Sequence, residues 1–244
     1  MVKGKLKKYR AMKKRKALHP YLPPTGRLEY KRFSRMLNCY KGVVLKPTIG
    51  TGGEGVVMVT RLGNGQYELH SKNRRVTVKG KKHAYRYFKT HQKLPGKQYL
   101  VQRKIDLITV KGRPVDFRVM VQRLPGGPWT VTALAGKLAA RGFAITNMAS
   151  KILTFKEAIH YSNSNLKDEQ GDLLEEYLRN LAIETAIALE AVYLSHRRYG
   201  VDIAIDQLGR LWIIEANLYG SPAIFHALGD TEMLSAMDAM EKYQ

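Results

Sequence analysis

Residues 42–60 read GVVLKPTIGTGGEGVVMVT, in which two runs of mainly β-branched residues flank a loop that contains four glycines. Such runs favour short strands, and the loop predicts a turn between them. Glycine lets the backbone approach phosphate oxygens closely and turn its N–H groups toward them. Lys46, at the end of the first run, adds a positive charge. The stretch therefore predicts a strand, a phosphate-binding loop and a second strand.

Gly50, Gly52 and Gly55 also fit the pattern G-x-G-x-x-G, which occurs in several unrelated nucleotide-binding sites. A dinucleotide-binding fingerprint must lead into a helix, whereas residues 56–60 favour a strand. A Walker loop requires Lys-Ser or Lys-Thr after its last glycine, and a protein kinase requires H-R-D and D-F-G motifs, which the chain lacks. A glycine-rich hairpin without a ligand is the alternative that stays open.

A second hairpin is predicted near the end of the chain, with strands over residues 200–206 and 211–217. Alternation places Glu215 and Asn217 on one face of its second strand. A two-residue turn at Leu208-Gly209 puts Asp202 directly opposite Glu215, whereas a three-residue turn shifts that pairing by one. Two carboxylates and an amide are therefore expected to converge.

These three side chains form a candidate metal site. Buried carboxylates without partners are unfavourable, and a cation compensates their charge. Oxygen ligands without Cys or His suit Mg²⁺ shared with ligand phosphates rather than zinc. The alternative is an ordinary acidic strand in which Asp202 pairs with Arg197 or Arg198.

A strand predicted over residues 115–123 carries Asp116 and Arg118 on one face and apolar residues on the other. A guanidinium matches the geometry of phosphate oxygens, so Arg118 is a candidate for holding a phosphoryl group during transfer. The alternative is a surface pair between Asp116 and Arg118. Residues 125–128, PGGP, then predict a hairpin that leads into a strand over residues 129–138.

Charge is unevenly distributed along the chain. Residues 1–104 hold 28 Lys or Arg and three acidic residues, whereas residues 105–244 hold 14 and 17. This asymmetry indicates that the first half faces a polyanion, such as nucleic acid, an anionic polymer or a polyphosphorylated ligand. Nine of the basic residues lie within residues 3–16, which form either a disordered solubilising arm or a docking segment.

Composition excludes several classes of protein. The chain has 244 residues, 44% of them hydrophobic, so it can bury a core, and no apolar run approaches the length of a membrane span. The N-terminus lacks the apolar stretch of a signal peptide. A single cysteine, Cys39, excludes an intrachain disulfide, so we expect a reducing, cytoplasmic location.

Helices are predicted over residues 28–40, 84–91 and 172–197, and an extended connector over residues 19–26, which contain three prolines. The predicted strands alternate with these helices, and antiparallel hairpins are prominent among them. This order indicates an α+β architecture rather than a doubly wound parallel sheet.

Four motifs follow one another in a fixed order: Lys-Pro with the glycine loop, a hinge strand at residues 99–102 (YLVQ), residues 116–118 (DFR), and residues 200–202 (GVD) leading to 215–217 (EAN). In this order they resemble the ATP-grasp superfamily. Residues 22–25 (LPPT), 44–47 (VLKP), 114–118 (PVDFR) and 146–147 (TN) further resemble its YheC/YheD branch, called endospore coat-associated. The likeness covers about residues 18–230.

The resemblance implies two α/β subdomains that clasp ATP, over residues 21–105 (glycine loop) and 106–244 (metal site), after a basic N-terminal arm over residues 1–20. It implies that the hinge meets adenine largely through backbone groups. The implied nucleotide contacts are Lys46, Gly50, Thr51, Gly52, Gly53, Gly55, Gln102, Arg103, Lys104 and Ile105. It also implies Mg²⁺ at Asp202, Glu215 and Asn217, and catalytic roles for Lys46 and for Arg118 at the γ-phosphate.

Enzymes of this superfamily join a carboxylic acid to an amine or similar nucleophile through an acylphosphate. The resemblance therefore implies an ATP- and Mg²⁺-dependent ligase with unknown carboxylate and amine substrates, and an anionic or polymeric substrate would suit the basic half. One alternative is a non-catalytic ATP-binding structural protein associated with the spore coat. Another is a polyanion-binding or nucleic-acid-binding protein that uses the basic arm.

Three departures from the family pattern bear on activity. Full-length members usually begin with an additional α/β domain that helps to bind the acceptor, and only about 20 residues, nine of them basic, precede the matched region here, so we expect that domain to be lacking. Lys137 stands where arginine is expected, and residues 149–151 (ASK) stand where relatives often have a glycine pair. Such changes would alter or remove ligase activity while sparing ATP binding.

Overall fold

A computed structural model describes residues 4–143, 145–146, 148–164, 166 and 168–241. Asn147 and Lys3, which the sequence analysis uses, lie outside the described residues. The helices are α1 (Lys5–Lys14), α2 (Tyr30–Cys39), α3 (Lys81–Tyr87), α4 (Phe155–His160), α5 (Asp168–Glu190), α6 (Ala223–His226) and α7 (Thr231–Glu241), with a 3₁₀ helix (Lys16–Tyr21) and a π-helical turn (Phe88–Gln92). No helix of the described residues is long and apolar enough to cross a membrane.

The strands are β1 (Thr25–Arg27), β2 (Gly42–Pro47), β3 (Val57–Gly63), β4 (Gln66–Ser71), β5 (Arg74–Lys79), β6 (Tyr99–Arg103), β7 (Thr109–Val110), β8 (Arg113–Gln122), β9 (Thr130–Ala139), β10 (Ala149–Leu153), β11 (Arg198–Ile205) and β12 (Leu211–Asn217). They form two antiparallel sheets. The first has the order β1-β6-β2-β3-β4-β5, and the second the order β10-β9-β8-β11-β12, with β7 paired to β8. The predicted subdomain boundary between residues 105 and 106 falls between these sheets and stays a prediction.

The first sheet packs one face against helices, whereas the second sheet is covered by helices on both faces. In the first sheet, Val43 and Leu45 of β2 pack against Phe33 and Leu37 of α2. In the second sheet, apolar residues of β8 and β11 pack against one side of α5. The opposite face of the second sheet is covered by α6 and α7.

The last hairpin positions its acidic residues through two irregularities that compensate each other. Asp206 N–H donates to the Arg210 carbonyl and closes a three-residue turn, in which Gly209 adopts a φ of 75°. A bulge in β12 follows, and it restores the pairing of Asp202 with Glu215. The predicted pairing of these two acids is therefore confirmed, although the turn is the three-residue one.

The N-terminal segment is ordered over residues 5–14. Helix α1 buries Lys8, Ala11 and Met12, which recur at three- and four-residue spacing along one face. Ala11 and Met12 join the apolar core between the second sheet and α5. A disordered arm is therefore wrong for these residues, because their apolar side chains have a core to enter.

Two other predictions are corrected. Residues 16–21 form a 3₁₀ helix that contains Pro20, where an extended connector is predicted over residues 19–26. Helix α5 ends at Glu190 instead of residue 197, and beyond its end the His196 ring packs against Tyr193 and Tyr199. These tertiary contacts override the helical periodicity of residues 191–197.

Candidate active site

Lys46 lies near the end of β2, and its side chain bridges the two sheets. Its ammonium donates to Gln102 Oε1 of β6 at 2.8 Å and to the Ile214 carbonyl of β12 at 3.1 Å. Gln102 Nε2 donates in turn to Thr25 Oγ1 at 2.9 Å, which fixes the amide. Burial lowers the pKa of Lys46 to about 8, although the Glu215 carboxylate partly offsets this effect. A buried cation is therefore placed where the sheets meet.

The glycine loop between β2 and β3 leaves its backbone open. Gly50, Gly52, Gly53 and Gly55 all have positive φ, and a Cβ on Gly50 or Gly52 would meet no atom within 4 Å. Gly55 differs, since a Cβ there would lie 2.6 Å from Tyr99 Oη. Gly55 therefore serves close packing at the base of the loop, whereas Gly50 and Gly52 leave room for a ligand.

Ion pairs cross the second sheet at the floor of the site. Arg118 of β8 lies opposite Asp202 of β11 and donates Nε to Oδ1 at 2.7 Å and an Nη to Oδ2 at 3.0 Å. Lys137 of β9 donates to Asp202 Oδ1 at 2.8 Å, and Asn217 donates to Oδ2 at 3.2 Å. Burial by itself would raise the pKa of Asp202, but the Lys137 and Arg118 charges hold it below its usual range. Asp202 is therefore ionised and fully bonded.

Asp116 extends this ladder on β8. It lies opposite Lys137, whose Nζ is 3.1 Å from Asp116 Oδ1, and Thr146 donates to its other oxygen at 2.5 Å. Burial raises the pKa of Asp116 despite the Lys137 charge. The surface pair between Asp116 and Arg118 is therefore wrong as an alternative. Pairing of Asp202 with Arg197 or Arg198 is wrong as well, since Arg118 and Lys137 bind that carboxylate.

Glu215 and Asn217 lie on β12, the edge strand of the second sheet, and both line the space between the sheets. The Glu215 Oε1 is 3.3 Å from Lys5 Nζ and 3.8 Å from Lys8 Nζ, both from helix α1. The bulge turns the preceding residue, Ile214, to the same space. Two lysine ammonium groups of helix α1 therefore lie against the Glu215 carboxylate.

The hinge after β6 directs its charged side chains to protein groups. The Arg103 guanidinium lies over the Tyr40 ring at 5.1 Å and over the Trp212 ring at 4.8 Å. Lys104 Nζ donates to Thr60 Oγ1 at 3.3 Å. The backbone N–H groups of Arg103 and Lys104 donate to the Pro24 and Gly42 carbonyls, and contact of this segment with adenine stays a prediction.

Together these elements enclose a cavity of about 350 Å³ between the two sheets. Its apolar lining comes from Val44, Met58, Ile105, Leu107 and Ile214. Every predicted site residue except Gly55 lines it, namely Lys46, Gly50, Thr51, Gly52, Gly53, Gln102, Arg103, Lys104, Ile105, Arg118, Asp202, Glu215 and Asn217. An apolar wall beside an open glycine loop suits a ligand that combines an aromatic ring with phosphates.

The oxygen donors of the cavity suit a hard divalent cation that also binds a ligand. Among the residues that the structure describes, no three His, Cys, Asp or Glu side chains come together as a metal site. Glu215 and Asn217 supply oxygens at the cavity, whereas the Asp202 oxygens already bind cationic groups. Phosphate oxygens would complete the coordination that Mg²⁺ requires. The role of Asp202 as a metal ligand stays a prediction.

Sequence reasoning did not assign Lys5, Lys8, Lys137 or Thr146 to the site. Lys5 and Lys8 are three residues apart, so they share one face of a helix, and that spacing is readable from the sequence. Lys137 is the single charged residue of the strand predicted over residues 129–138. A lone charge in an apolar strand signals a buried partner. Thr146 lies in a loop, and its signal is the resemblance of residues 146–147 to the family pattern.

Comparison with known proteins identifies the class to which this fold and site belong. A family model described as YheC/D like ATP-grasp matches residues 1–243, and the chain belongs to this family. The expected α+β ATP-grasp fold is confirmed. The N5-carboxyaminoimidazole synthetase of Staphylococcus aureus, solved with ADP, shares the fold with a TM-score of 0.57 at 10% identity, over 98% of this chain and 51% of that chain.

Two relatives belong to the branch that the sequence motifs resemble. The chain is 28% identical to endospore coat-associated protein YheD of Bacillus subtilis strain 168, over 84% of this chain and 46% of YheD. It is 26% identical to endospore coat-associated protein YheC of the same strain, over 82% of this chain and 55% of YheC. The chain therefore spans about half the length of these relatives.

Proposed function

We propose that the chain is an ATP- and Mg²⁺-dependent ligase that joins a carboxylate to an amine through an acylphosphate. The observation that carries this proposal is the arrangement of Lys46, Arg118 and Glu215 around one cavity beside an open glycine loop. Membership of the ATP-grasp family supports it.

In this proposal, different residues of the chain bind different parts of the nucleotide. The glycine loop covers the phosphates, and Lys46 binds their oxygens in a dry site where its charge is strongly felt. The apolar lining, which includes Val44, Met58 and Ile105, takes the adenine ring. Glu215 and Asn217 would hold Mg²⁺, which neutralises phosphate charge when bound, whereas Asp202 orients the Asn217 amide by accepting its hydrogen bond.

Arg118 acts on the transferred phosphoryl group. Its guanidinium is oriented by the two hydrogen bonds that it donates to Asp202, so it is positioned before a ligand arrives. A substrate carboxylate oxygen attacks the γ-phosphorus, and the bond to the ADP oxygen breaks. An amine then attacks the acyl carbon, phosphate leaves, and the proton of the amine passes to solvent or phosphate.

An anionic acceptor suits the positive charge beside the glycine loop. The turn between β4 and β5 carries exposed Lys72 and Arg74, and it adjoins the glycine loop because Ser71 Oγ donates to the Val56 carbonyl at 3.3 Å. Exposed Arg141 lies near the same turn. We propose that these cations attract an anionic or polymeric substrate.

Calorimetry tests the nucleotide site first. The wild type is expected to bind ATP with Mg²⁺, and Lys46→Ala and Glu215→Ala are expected to lose most of this affinity. Asp238→Ala, an exposed change on α7, is the control for a loss of negative charge. A wild type that binds no ATP would contradict the proposal.

Turnover tests the chemistry. Release of ADP and phosphate is measured with cell-extract metabolites, and fractionation of a stimulating extract leads to the acid and amine. Stimulation that Arg118→Lys loses while retaining ATP binding supports the ligase proposal. ATP binding without any stimulated ADP release would favour the alternative below.

A non-catalytic ATP-binding protein of the spore coat is the second candidate. The observation that favours it is the printed description of both relatives as endospore coat-associated. Association with the spore surface that persists in an Arg118→Lys variant without ADP release would support this function. Turnover of ATP with any acid and amine would exclude it.

The charge of the first half favours a third candidate, binding to a nucleic acid or another polyanion. Phosphate contacts release counterions, so affinity would fall steeply as salt rises. Binding to DNA and RNA that is absent or insensitive to salt would exclude this function.

A further inference from the structure

Two lysines of helix α1 occupy the surroundings of the Glu215 carboxylate. Lys5 Nζ is 3.3 Å and Lys8 Nζ 3.8 Å from Glu215 Oε1. Lys8 is only 7% exposed. Few water molecules can therefore reach its ammonium group and take the place of the Glu215 carboxylate. The helix brings both charges to one acid because residues three apart share a face.

The position of Lys5 is fixed from a second side. Its backbone N–H donates to the Thr48 carbonyl at 2.8 Å, and its Nζ donates to the Gly50 carbonyl at 2.7 Å. The start of α1 is thereby joined to the glycine loop as well as to Glu215. Lys5 is consequently part of the cavity wall, and buried Lys8 lies beside Glu215, so neither belongs to a solvated charge run.

A divalent ion at Glu215 must therefore compete with these ammonium groups. Placed on the same oxygen, the ion would lie close to two like charges in a partly dry site, where repulsion is strong. The acid next to Glu215 across the sheet, Asp202, offers no relief, because Arg118 and Lys137 already bind it. Nucleotide phosphates carry enough negative charge to compensate both the metal and the lysines.

We propose that Lys8 and Lys5 are built-in counter-cations of Glu215, which exclude free divalent metal and admit it only together with nucleotide phosphates. This inference rests on the proposed nucleotide site and deepens it. Because of the two lysines, the site accepts the metal–nucleotide complex and not the free metal ion.

Mn²⁺ is the probe, and its free concentration is followed by electron paramagnetic resonance in the absence of nucleotide. The wild type is expected to bind Mn²⁺ weakly, and Lys8→Met is expected to tighten this binding about tenfold, since one nearby like charge is removed. Lys14→Met removes an exposed charge from the same helix and is the matched control, with less than about a twofold change. Lys5→Met is expected to act like Lys8→Met.

A Lys8→Met, Glu215→Gln double variant shows whether the gain depends on the carboxylate, and it is expected to lose that gain. Equal Mn²⁺ affinity in Lys8→Met and Lys14→Met would overturn the inference. Tight Mn²⁺ binding by the wild type without nucleotide would overturn it too, and that measurement needs no variant. Circular dichroism verifies that each variant is folded.

The same titration with ADP present separates this inference from the proposed function. If ADP fails to bind with or without metal, the nucleotide site is wrong, whereas the Mn²⁺ comparison between Lys8→Met and Lys14→Met still decides the role of Lys8. If ADP binds and strengthens Mn²⁺ binding in the wild type more than in Lys8→Met, both are supported.

Discussion

Arg118 and Asp202 lie directly opposite each other on β8 and β11, although 84 residues separate them along the chain. Two parallel hydrogen bonds, at 2.7 and 3.0 Å, join the guanidinium to the carboxylate. Both side chains are mostly buried, at 16% and 10% exposure. The pair therefore links the candidate phosphoryl-binding group to the stability of the sheet.

Removal of one partner is expected to be costly. Asp202→Ala leaves the Arg118 guanidinium buried without its carboxylate and deprives Lys137 of one of its two partners, so the free energy of unfolding should fall by about 3–5 kcal/mol. Urea denaturation at pH 7 measures this change. Asp238→Ala, which removes an exposed acid, should stay within about 0.5 kcal/mol of the wild type. Equal effects of the two substitutions would contradict the buried ion pair.

Nucleotide affinity is expected to depend on the charge of Lys46. Burial lowers the pKa of Lys46 to about 8, so the ammonium is present at pH 7 and lost as the pH rises above 8. If phosphate binds the charged form, affinity for ATP falls by up to about tenfold for each pH unit above 8. Calorimetry between pH 7 and 10 measures the slope.

The control for this slope is Lys46→Arg, because a guanidinium keeps its charge throughout that range. Its affinity for ATP at pH 7 is expected to be weaker, since the longer group must replace the hydrogen bond to Gln102. Its dependence on pH above 8 should nevertheless be shallower than in the wild type. Identical slopes would assign the effect to another group.

The glycine loop allows strain and steric clash to be separated. Gly52→Ala and Gly55→Ala both place an alanine at positive φ, 65° and 70° respectively, at a cost of about 1 kcal/mol each. Gly55→Ala additionally forces a Cβ to within 2.6 Å of Tyr99 Oη. Its unfolding free energy should therefore fall further, by about 1–3 kcal/mol more than that of Gly52→Ala. Thermal unfolding compares them, and an equal loss would show that the Tyr99 side chain moves freely.

Arg103 is expected to support the hinge rather than the nucleotide. Its guanidinium lies between the rings of Tyr40 and Trp212, so Arg103→Ala should destabilise the fold by about 1–2 kcal/mol. Affinity for ATP should change less than it does in Lys46→Ala. A loss of ATP affinity as large as that of Lys46→Ala, without loss of stability, would instead indicate that the Arg103 side chain contacts the nucleotide.

The sequence predicts the parts of the fold that depend on local pattern. The strands on either side of residues 48–56 and of residues 125–128 follow from β-branched runs and turn residues, and the two hairpins form as expected. The Asp202–Glu215 pairing follows from alternation, but the bulge that produces it does not. Helix α4 has a readable signal, the capping box of Thr154 and Glu157, which the prediction omitted.

The parts that could not be predicted depend on contacts between distant segments. Nothing in residues 3–16 shows that Lys5 and Lys8 will meet Glu215, because a basic run reads equally well as a solvated arm. Lys137 reaches Asp116 and Asp202 from a third strand, and only the strand order of the sheet brings them together. This strand order cannot be predicted from the local sequence pattern.

The hydrogen bond from the Lys46 ammonium to the Ile214 carbonyl joins the two sheets. Opening of the cleft would break that hydrogen bond and leave the buried Lys46 ammonium without its Ile214 acceptor. A phosphate oxygen of a ligand in the cavity would replace that acceptor. The same atom, Lys46 Nζ, therefore both holds the cleft closed and is available to bind a polyphosphate. Molecules that bind elsewhere in the cavity and offer Lys46 no oxygen would leave its hydrogen bond to Ile214 intact.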